Sequence, residues 1–157
     1  MQSISDLIQQ LNEDLEYAER VLDLADREFE ALSARDLKQL ESLLGEKQPL
    51  LAQLAQHAAQ RARLLQGLGL SVDREGLQRL AKASPDGEQL LAVSDRLGER
   101  FEECKRRNER NGRLIRANQQ AVGGMLSALR GTHDAPSLYD SRGMASRSHG
   151  YRPLSEA

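Results

Sequence analysis

The residues of this chain that could do acid–base or metal chemistry are few and far apart. Its three histidines are His57, His133 and His149, and none has a cysteine or carboxylate partner at a spacing that metal sites use. The single cysteine, Cys104, cannot form an internal disulfide, and it falls at a repeating apolar position that favours a small buried residue over a nucleophile. The pattern therefore indicates no metal site, no cofactor and no enzymatic activity.

A basic segment, "KRRNERNGRLIR" from Lys105 to Arg116, has the composition of an RNA-binding helix but lacks the rest of such a site. Glu109 interrupts it, and no aromatic residue within it could stack on bases. The whole chain has a formal net charge of -2 and an isoelectric point of about 6.0. Residues 1–50 hold 12 acids and 5 bases, whereas residues 96–116 hold 8 bases and 4 acids. We therefore predict a basic helix face beside an acidic first helix, and no nucleic-acid partner.

Three asparagines in the same region, Asn108, Asn111 and Asn118, occupy positions of an otherwise apolar heptad pattern. A single polar residue at such a position commonly fixes the register of packed helices. Three are more than register requires. Two interpretations stay open: the amides satisfy one another across a bundle, or this part of the pattern faces solvent and is available to a partner.

The elements that position these residues are helices. Apolar residues in the first segment recur at alternating steps of four and three, after Ser3 as N-cap with Asp6 in the first turn: Ile4, Ile8, Leu11, Leu15, Ala18, Leu22, Ala25, Phe29 and Leu32. After a short polar break a second helix follows, with Pro49 inside it as a kink, and the same stepping at Leu37, Leu40, Leu44, Leu51, Leu54, Ala58 and Leu65.

A short helix in "DREGLQRLAKA" and a long one from Ser84 and Pro85 to about Arg130 complete the pattern. The long helix repeats at Leu90, Ser94, Leu97, Phe101, Cys104, Asn108, Asn111, Ile115, Asn118, Val122, Met125 and Leu129. We predict an all-α fold: an elongated antiparallel bundle of three long helices and one short helix. The bundle domain covers residues 1–131, and a flexible C-terminal recognition tail covers residues 132–157.

No apolar run approaches the roughly 20 residues that a membrane-spanning helix needs. The N-terminus has no charged and then apolar signal segment. We therefore expect a cytoplasmic protein with no direct membrane insertion.

Two stretches of the chain resemble the FlgN family of flagellar type III export chaperones. They are "NERNGRLIRANQQAVGGML", with its asparagine-rich helix, and the tail "PSLYDSRGMASRSHG", with its "LY" pair. The resemblance implies a protein without catalysis that binds the hook–filament junction proteins FlgK and FlgL. It would prevent their premature assembly and deliver them to the export gate protein FlhA.

The resemblance also implies where the partners bind. The client surface would be centred on Val122, Met125, Leu126 and Leu129, with Asn111 and Asn118 beside it. Tyr139 and its neighbour Leu138 would dock on the export gate. The alternative is a structural coiled-coil subunit that oligomerises through its apolar seams without client specificity.

Overall fold

The computed structural model describes residues 3–130, except for the side chains of Val122 and Arg130. These residues form four helices and no strand: α1 (Ile4–Ser33), α2 (Leu37–Gly67), α3 (Arg74–Lys82) and α4 (Gly87–Arg130). The predicted all-α bundle of three long helices and one short helix is thus confirmed. The predicted tail of residues 132–157, with Leu138 and Tyr139, lies outside the described residues.

Local signals set the beginnings of the helices. The Ser3 side chain accepts the N–H of Asp6, and the Asp6 carboxylate accepts the N–H of Ser3, which is a complete capping box. Arg35 takes a φ of 56° in the tight turn after α1. Asp36 then caps α2 by accepting the N–H of Gln39. A connection this short obliges α2 to return along α1.

Contacts along α1 show the direction of its two neighbours. Residues of α2 meet α1 in reverse order, since Gln60 bonds Gln10 and Lys47 pairs with Glu28. Residues of α4 meet α1 at a constant offset, as when Asn111 bonds Ala25 and Asn118 bonds Leu32. Helix α1 is therefore the central element, antiparallel to α2 and parallel to α4, and the backbones of α2 and α4 rarely come close to each other.

The core consists of two apolar clusters at different heights along α1. The first joins the N-terminal half of α1 to α3 and the start of α4: Leu7, Ile8, Leu11, Leu15, Ala18, Ala81, Leu90, Val93 and Leu97. The second joins the C-terminal half of α1 to α2: Val21, Leu24, Ala31, Leu43, Leu50 and Leu54. Burial of leucine and alanine side chains thus accounts for the core of a chain with few aromatic residues.

The predicted α2 seam was wrong in part. Leu43 and Leu50 are buried, whereas their neighbours Leu44 and Leu51 are exposed, as are Leu37 and Ala58. The leucine pairs of α2 allow either phase, and α1 selects one because it offers buried carboxylates. In the observed phase Lys47 of α2 reaches Glu28 of α1, and Arg61 reaches Asp14.

The predicted α4 seam was also wrong in part, because only one of its two columns of residues packs on α1. Its seven-residue column through Leu97, Cys104 and Asn111 faces α1, but Phe101 and Asn108 in the second column are exposed. The second column of a heptad is covered only when a second helix packs on that side. Phe101 is 38% exposed, so no described helix fully covers this part of the column.

Two glycines allow α3 to sit close to its flanking chain. A Cβ on Gly76 would lie 1.8 Å from the Ser71 carbonyl oxygen, and one on Gly87 would lie 2.0 Å from that of Ala81. Backbone at both points leaves no room for any side chain. Gly87 is also the first residue of α4, two residues later than the start predicted from Ser84 and Pro85.

Candidate partner-binding site

A ladder of polar side chains aligns α4 on α1. Asn111 donates its amide to the Ala25 carbonyl at 2.9 Å, and Asn118 donates to the Leu32 carbonyl at 3.3 Å. One heptad earlier, the Cys104 sulfur lies 3.9 Å from the Ala18 carbonyl oxygen. Each carbonyl has a second lone pair free for such a bond. Since the steps on both helices are seven residues, the ladder fixes the register of α4.

The two interpretations of the asparagines were mutual bonding across the bundle and exposure to a partner, and neither describes all three residues. Asn111 is buried and Asn118 half-buried, and both bond the α1 backbone rather than each other. Asn108 is exposed on the uncovered flank. The sequence pattern identified the amides but could not identify their acceptors. Every residue has a backbone carbonyl, so no residue type marks the ones that accept these bonds.

Arginines beside the ladder bind the acidic face of α1. Arg107 and Arg110 both reach the Asp26 carboxylate, at 3.0 and 3.1 Å. The Arg110 guanidinium also lies 4.3 Å from the centroid of the Phe29 ring, a cation–π contact. Earlier in α4, Arg100 pairs with Glu19. The predicted pairing of a basic α4 face with an acidic first helix is confirmed.

Beyond the ladder, α4 extends past the end of α1. Helix α1 ends at Ser33, one residue after the Leu32 carbonyl that Asn118 binds, whereas α4 continues to Arg130. From Asn118 to its end α4 rises about 18 Å. This overhang, residues 119–130, carries an apolar face with no helix of residues 3–130 beneath it: Met125 is 52% exposed and Leu129 is 84% exposed.

The predicted client residues therefore share one helix but differ in surroundings. Asn111 and Asn118 hold α4 on α1, so their amides are engaged within the bundle. Met125 and Leu129 are exposed, and Leu126 is half-buried. The side chain of Val122 lies outside the described residues, as do the gate-docking candidates Leu138 and Tyr139. The overhang is thus the part of the predicted site that is open to a partner.

The overhang is helical despite two adjacent glycines. Gly123 and Gly124 both lie within α4. A Cβ placed on Gly124 would meet nothing within 4 Å, so no close packing requires a glycine there. Each glycine costs a helix roughly 1 kcal/mol relative to alanine. The apolar end of α4 is consequently a helix of low intrinsic stability.

A buried polar cluster between α1 and α2 was not predicted from the sequence. Asp14 is fully buried, and its carboxylate binds His57 Nδ1 at 2.5 Å and Arg61 at 2.6 Å. Gln53 lies 2.9 Å from His57 Nε2. Buried charges require such partners. The signal available in the sequence was the spacing of Gln53, His57 and Arg61, which at four residues puts all three on one face of α2.

The groups that could support catalysis are held in structural contacts. Burial raises the pKa of the Cys104 thiol, against the opposite effect of Lys47 and Arg107, so the thiol is protonated at neutral pH. Within residues 3–130 no group of three histidine, cysteine or carboxylate side chains could hold a metal ion. In the same part of the chain, no helix is both long and apolar enough to cross a membrane.

Residues 3–130 thus form an all-α bundle in which no described helix covers the apolar end of α4. The model of the FlgN protein family matches residues 1–147, which is most of the chain. The chain belongs to the FlgN family. A solved structure of a flagella synthesis protein FlgN from Pseudomonas aeruginosa is similar, with 45% sequence identity and a TM-score of 0.69. The similarity covers 83% of this chain and 100% of that one. Comparison with curated proteins found no match.

Proposed function

We propose that this flagellar protein is a cytoplasmic export chaperone that binds the junction proteins FlgK and FlgL. In this proposal it prevents their premature assembly and delivers them to the export gate protein FlhA. Membership of the FlgN family supports the flagellar part. The observation that carries the rest is the overhang of α4, an apolar helix face that no other described helix covers. The proposal assigns binding and transport, and no catalysis, to the chain.

The overhang suits an amphipathic helix as its client. Val122, Met125, Leu126 and Leu129 stand at positions i, i+3, i+4 and i+7, which form one face of a helix. Grooves that recognise helices are built from that spacing. A client helix laid along this face would bury the two exposed side chains. It would also add tertiary contacts to the glycine-weakened turns, so binding would order the end of α4.

The gate contact belongs to the tail in this proposal. Tyr139 with Leu138 offers a large ring, a hydroxyl and an aliphatic neighbour in a segment otherwise rich in serine, glycine and charge. Tyrosine is enriched among the residues that dominate binding energy. Tyr139→Ala should weaken FlhA binding about 30-fold, equivalent to about 2 kcal/mol, while FlgK binding stays unchanged.

Calorimetric titration with FlgK, and separately with FlgL, tests the client site. Met125→Ser with Leu129→Ser should weaken binding at least tenfold, since each buried aliphatic side chain contributes about 1.5–3 kcal/mol. The matched control is Leu68→Ser with Val72→Ser, two exposed apolar residues at the opposite end of the bundle. Equal effects of the two double variants would contradict the proposal.

Sizing by light scattering separates the proposal from a structural coiled-coil subunit. A chaperone should form a discrete complex when FlgK is added and should not assemble by itself. A chain that is already a large oligomer alone, with no change on adding FlgK, would instead indicate an oligomerisation subunit.

A further inference from the structure

Helix α2 carries a line of leucines that no described helix covers. Leu37, Leu44 and Leu51 are 70%, 44% and 41% exposed. Their spacing of seven residues puts them in one line along the helix. This α2 stripe, Leu37, Leu44 and Leu51, lies beside the buried seam that faces α1. An exposure of 41% or more at each of the three leucines shows that the stripe is largely open within residues 3–130.

Two polar residues, Glu41 and Gln48, interrupt the stripe. Glu41 stands between Leu37 and Leu44, four residues after the first and three before the second, so it lies on the same face. Its side chain is exposed and makes no ion pair or hydrogen bond within residues 3–130. Gln48 stands likewise between Leu44 and Leu51 and is exposed, so the pattern to be matched along α2 is apolar, acidic, apolar, neutral polar, apolar.

The chain leaves α4 at the end of the molecule where α2 begins. Asn118 of α4 contacts Leu32 in the last turn of α1, and α2 starts at Leu37. From there α4 rises about 18 Å to Arg130. Residues 131–138, when extended, span about 26–29 Å, which covers the axial return of about 18 Å and leaves length for crossing sideways to α2. Leu138 and Tyr139 can therefore reach the first leucine of the stripe.

The segment that follows has the complementary order of residues. Leu138 and Tyr139 come first, then Arg142, then Met144 and Tyr151. Asp140 and Arg142 stand between the first two apolar positions, and Arg142 has the charge opposite to Glu41 on α2. Arg147 and His149 stand between Met144 and Tyr151, where α2 has the neutral Gln48. The interval from Met144 to Tyr151 equals that from Leu44 to Leu51 in residues, and an extended chain covers it with slack.

We propose that residues 138–151 of the same chain cover the α2 stripe in the free protein. Tyr139 with Leu138 packs on Leu37, Met144 on Leu44 and Tyr151 on Leu51, while Arg142 pairs with Glu41. Burial of these side chains provides the attraction, and the single charge pair selects the register. In this proposal the tail is not free to move along its whole length, because its apolar residues pack on α2 until a partner binds them.

The inference concerns the free protein and does not depend on the proposed export function. Its test contains neither client nor gate protein, so its failure would leave that function untouched. If both hold, the α2 stripe and the gate compete for Tyr139.

Disulfide trapping in the full chain tests the contact. In a Cys104→Ser background, Leu44→Cys is combined with Met144→Cys, and mild oxidation is followed on non-reducing gels at micromolar protein concentration. The matched control replaces Leu44→Cys with Ser42→Cys. Ser42 is exposed, lies about 3 Å away along the axis and points about 200° round the helix. Circular dichroism checks that both variants fold.

The contact predicts that the intramolecular disulfide forms at least threefold faster from position 44 than from position 42. A ratio below three would overturn the inference. Disulfide-linked dimers as the main product from position 44 would also overturn it, because a second copy would then cover the stripe.

The charge pair gives a second, independent readout. Glu41→Arg should slow trapping at least twofold in the variant with cysteines at positions 44 and 144, and so should Arg142→Glu. The two changes together should restore the original rate. Single changes without effect, or a double variant as slow as the singles, would contradict the assigned register.

Discussion

The two halves of the α1–α4 interface are built from different chemistry. In the proximal half, α4 residues 90–97, Leu90, Val93 and Leu97 are buried against the leucines of α1. In the distal half, α4 residues 104–118, amides and guanidinium groups bond α1 carbonyls and the Asp26 carboxylate. The same pair of helices is thus joined first by apolar burial and then by directional polar bonds.

The two halves contribute differently to the α1–α4 interface, one to its stability and the other to its alignment. Apolar burial contributes about 25 cal/mol per Å² and depends little on direction. A hydrogen bond contributes only about 1 kcal/mol net but requires a particular geometry. The proximal half therefore holds α4 to the bundle, and the distal half fixes its register and aims the overhang. Substitutions in the two halves should differ accordingly.

The largest effect is expected in the proximal half at Leu90, whose side chain is fully buried. Leu90→Ala should lower the free energy of unfolding by about 2–5 kcal/mol, because it removes buried methyl groups and leaves a cavity. Urea denaturation followed by circular dichroism measures this. Leu91→Ala at the half-buried neighbour is the control and should cost clearly less; equal losses would contradict the assignment of the core.

Gly87 tests the close approach of α3 to the start of α4. Gly87→Ala should lower the free energy of unfolding by about 1–3 kcal/mol, because the new methyl group collides with the Ala81 carbonyl. Gly98→Ala, whose Cβ would meet nothing within 4 Å, should instead raise it by about 1 kcal/mol. Thermal melts of the pair give opposite signs, and a shared sign would refute the packing described for α3.

In the distal half, Asn111→Ala should cost about 1 kcal/mol, since it removes one buried hydrogen bond to the Ala25 carbonyl. The exposed Asn108→Ala is the control, with an expected change below about 0.5 kcal/mol. Denaturant titration at fixed salt distinguishes them. A loss at Asn111 as large as that at Leu90 would erase the contrast between the halves.

The smallest effect concerns Glu103, whose carboxylate accepts bonds from Arg106 and Arg107. Arg106 first, and then Arg107, lower the pKa of Glu103 below its ordinary value. Its contribution to stability is therefore present at neutral pH and is lost as the pH falls through the acid range. The urea midpoints of the natural chain and Glu103→Gln should differ slightly at pH 7 and converge near pH 3. A difference that persists at pH 3 would contradict this cause.

Local patterns predicted the parts of the fold that local energies determine. The α1 seam and its Ser3 cap followed from spacing and residue type alone, and both are observed. In α2 the choice between Leu43 and Leu44 was not local, because either phase gives an apolar face. The phase follows from distant partners, as when Asp14 of α1 binds His57 and Arg61. The exposure of Leu129 likewise follows from the position at which α1 ends. The sequence of α4 by itself does not reveal that position.

The central claim is that α4 passes from a firmly held proximal half, through an aligned distal half, to an overhang that awaits a client. Residue-resolved amide hydrogen exchange, with and without FlgK, tests it most directly. The account predicts protection that falls from residues 90–97 through 104–118 to 119–130 in the free protein, and a rise confined mainly to 119–130 on adding FlgK. Uniform protection along α4, or a FlgK-induced rise that spares residues 119–130, would contradict it.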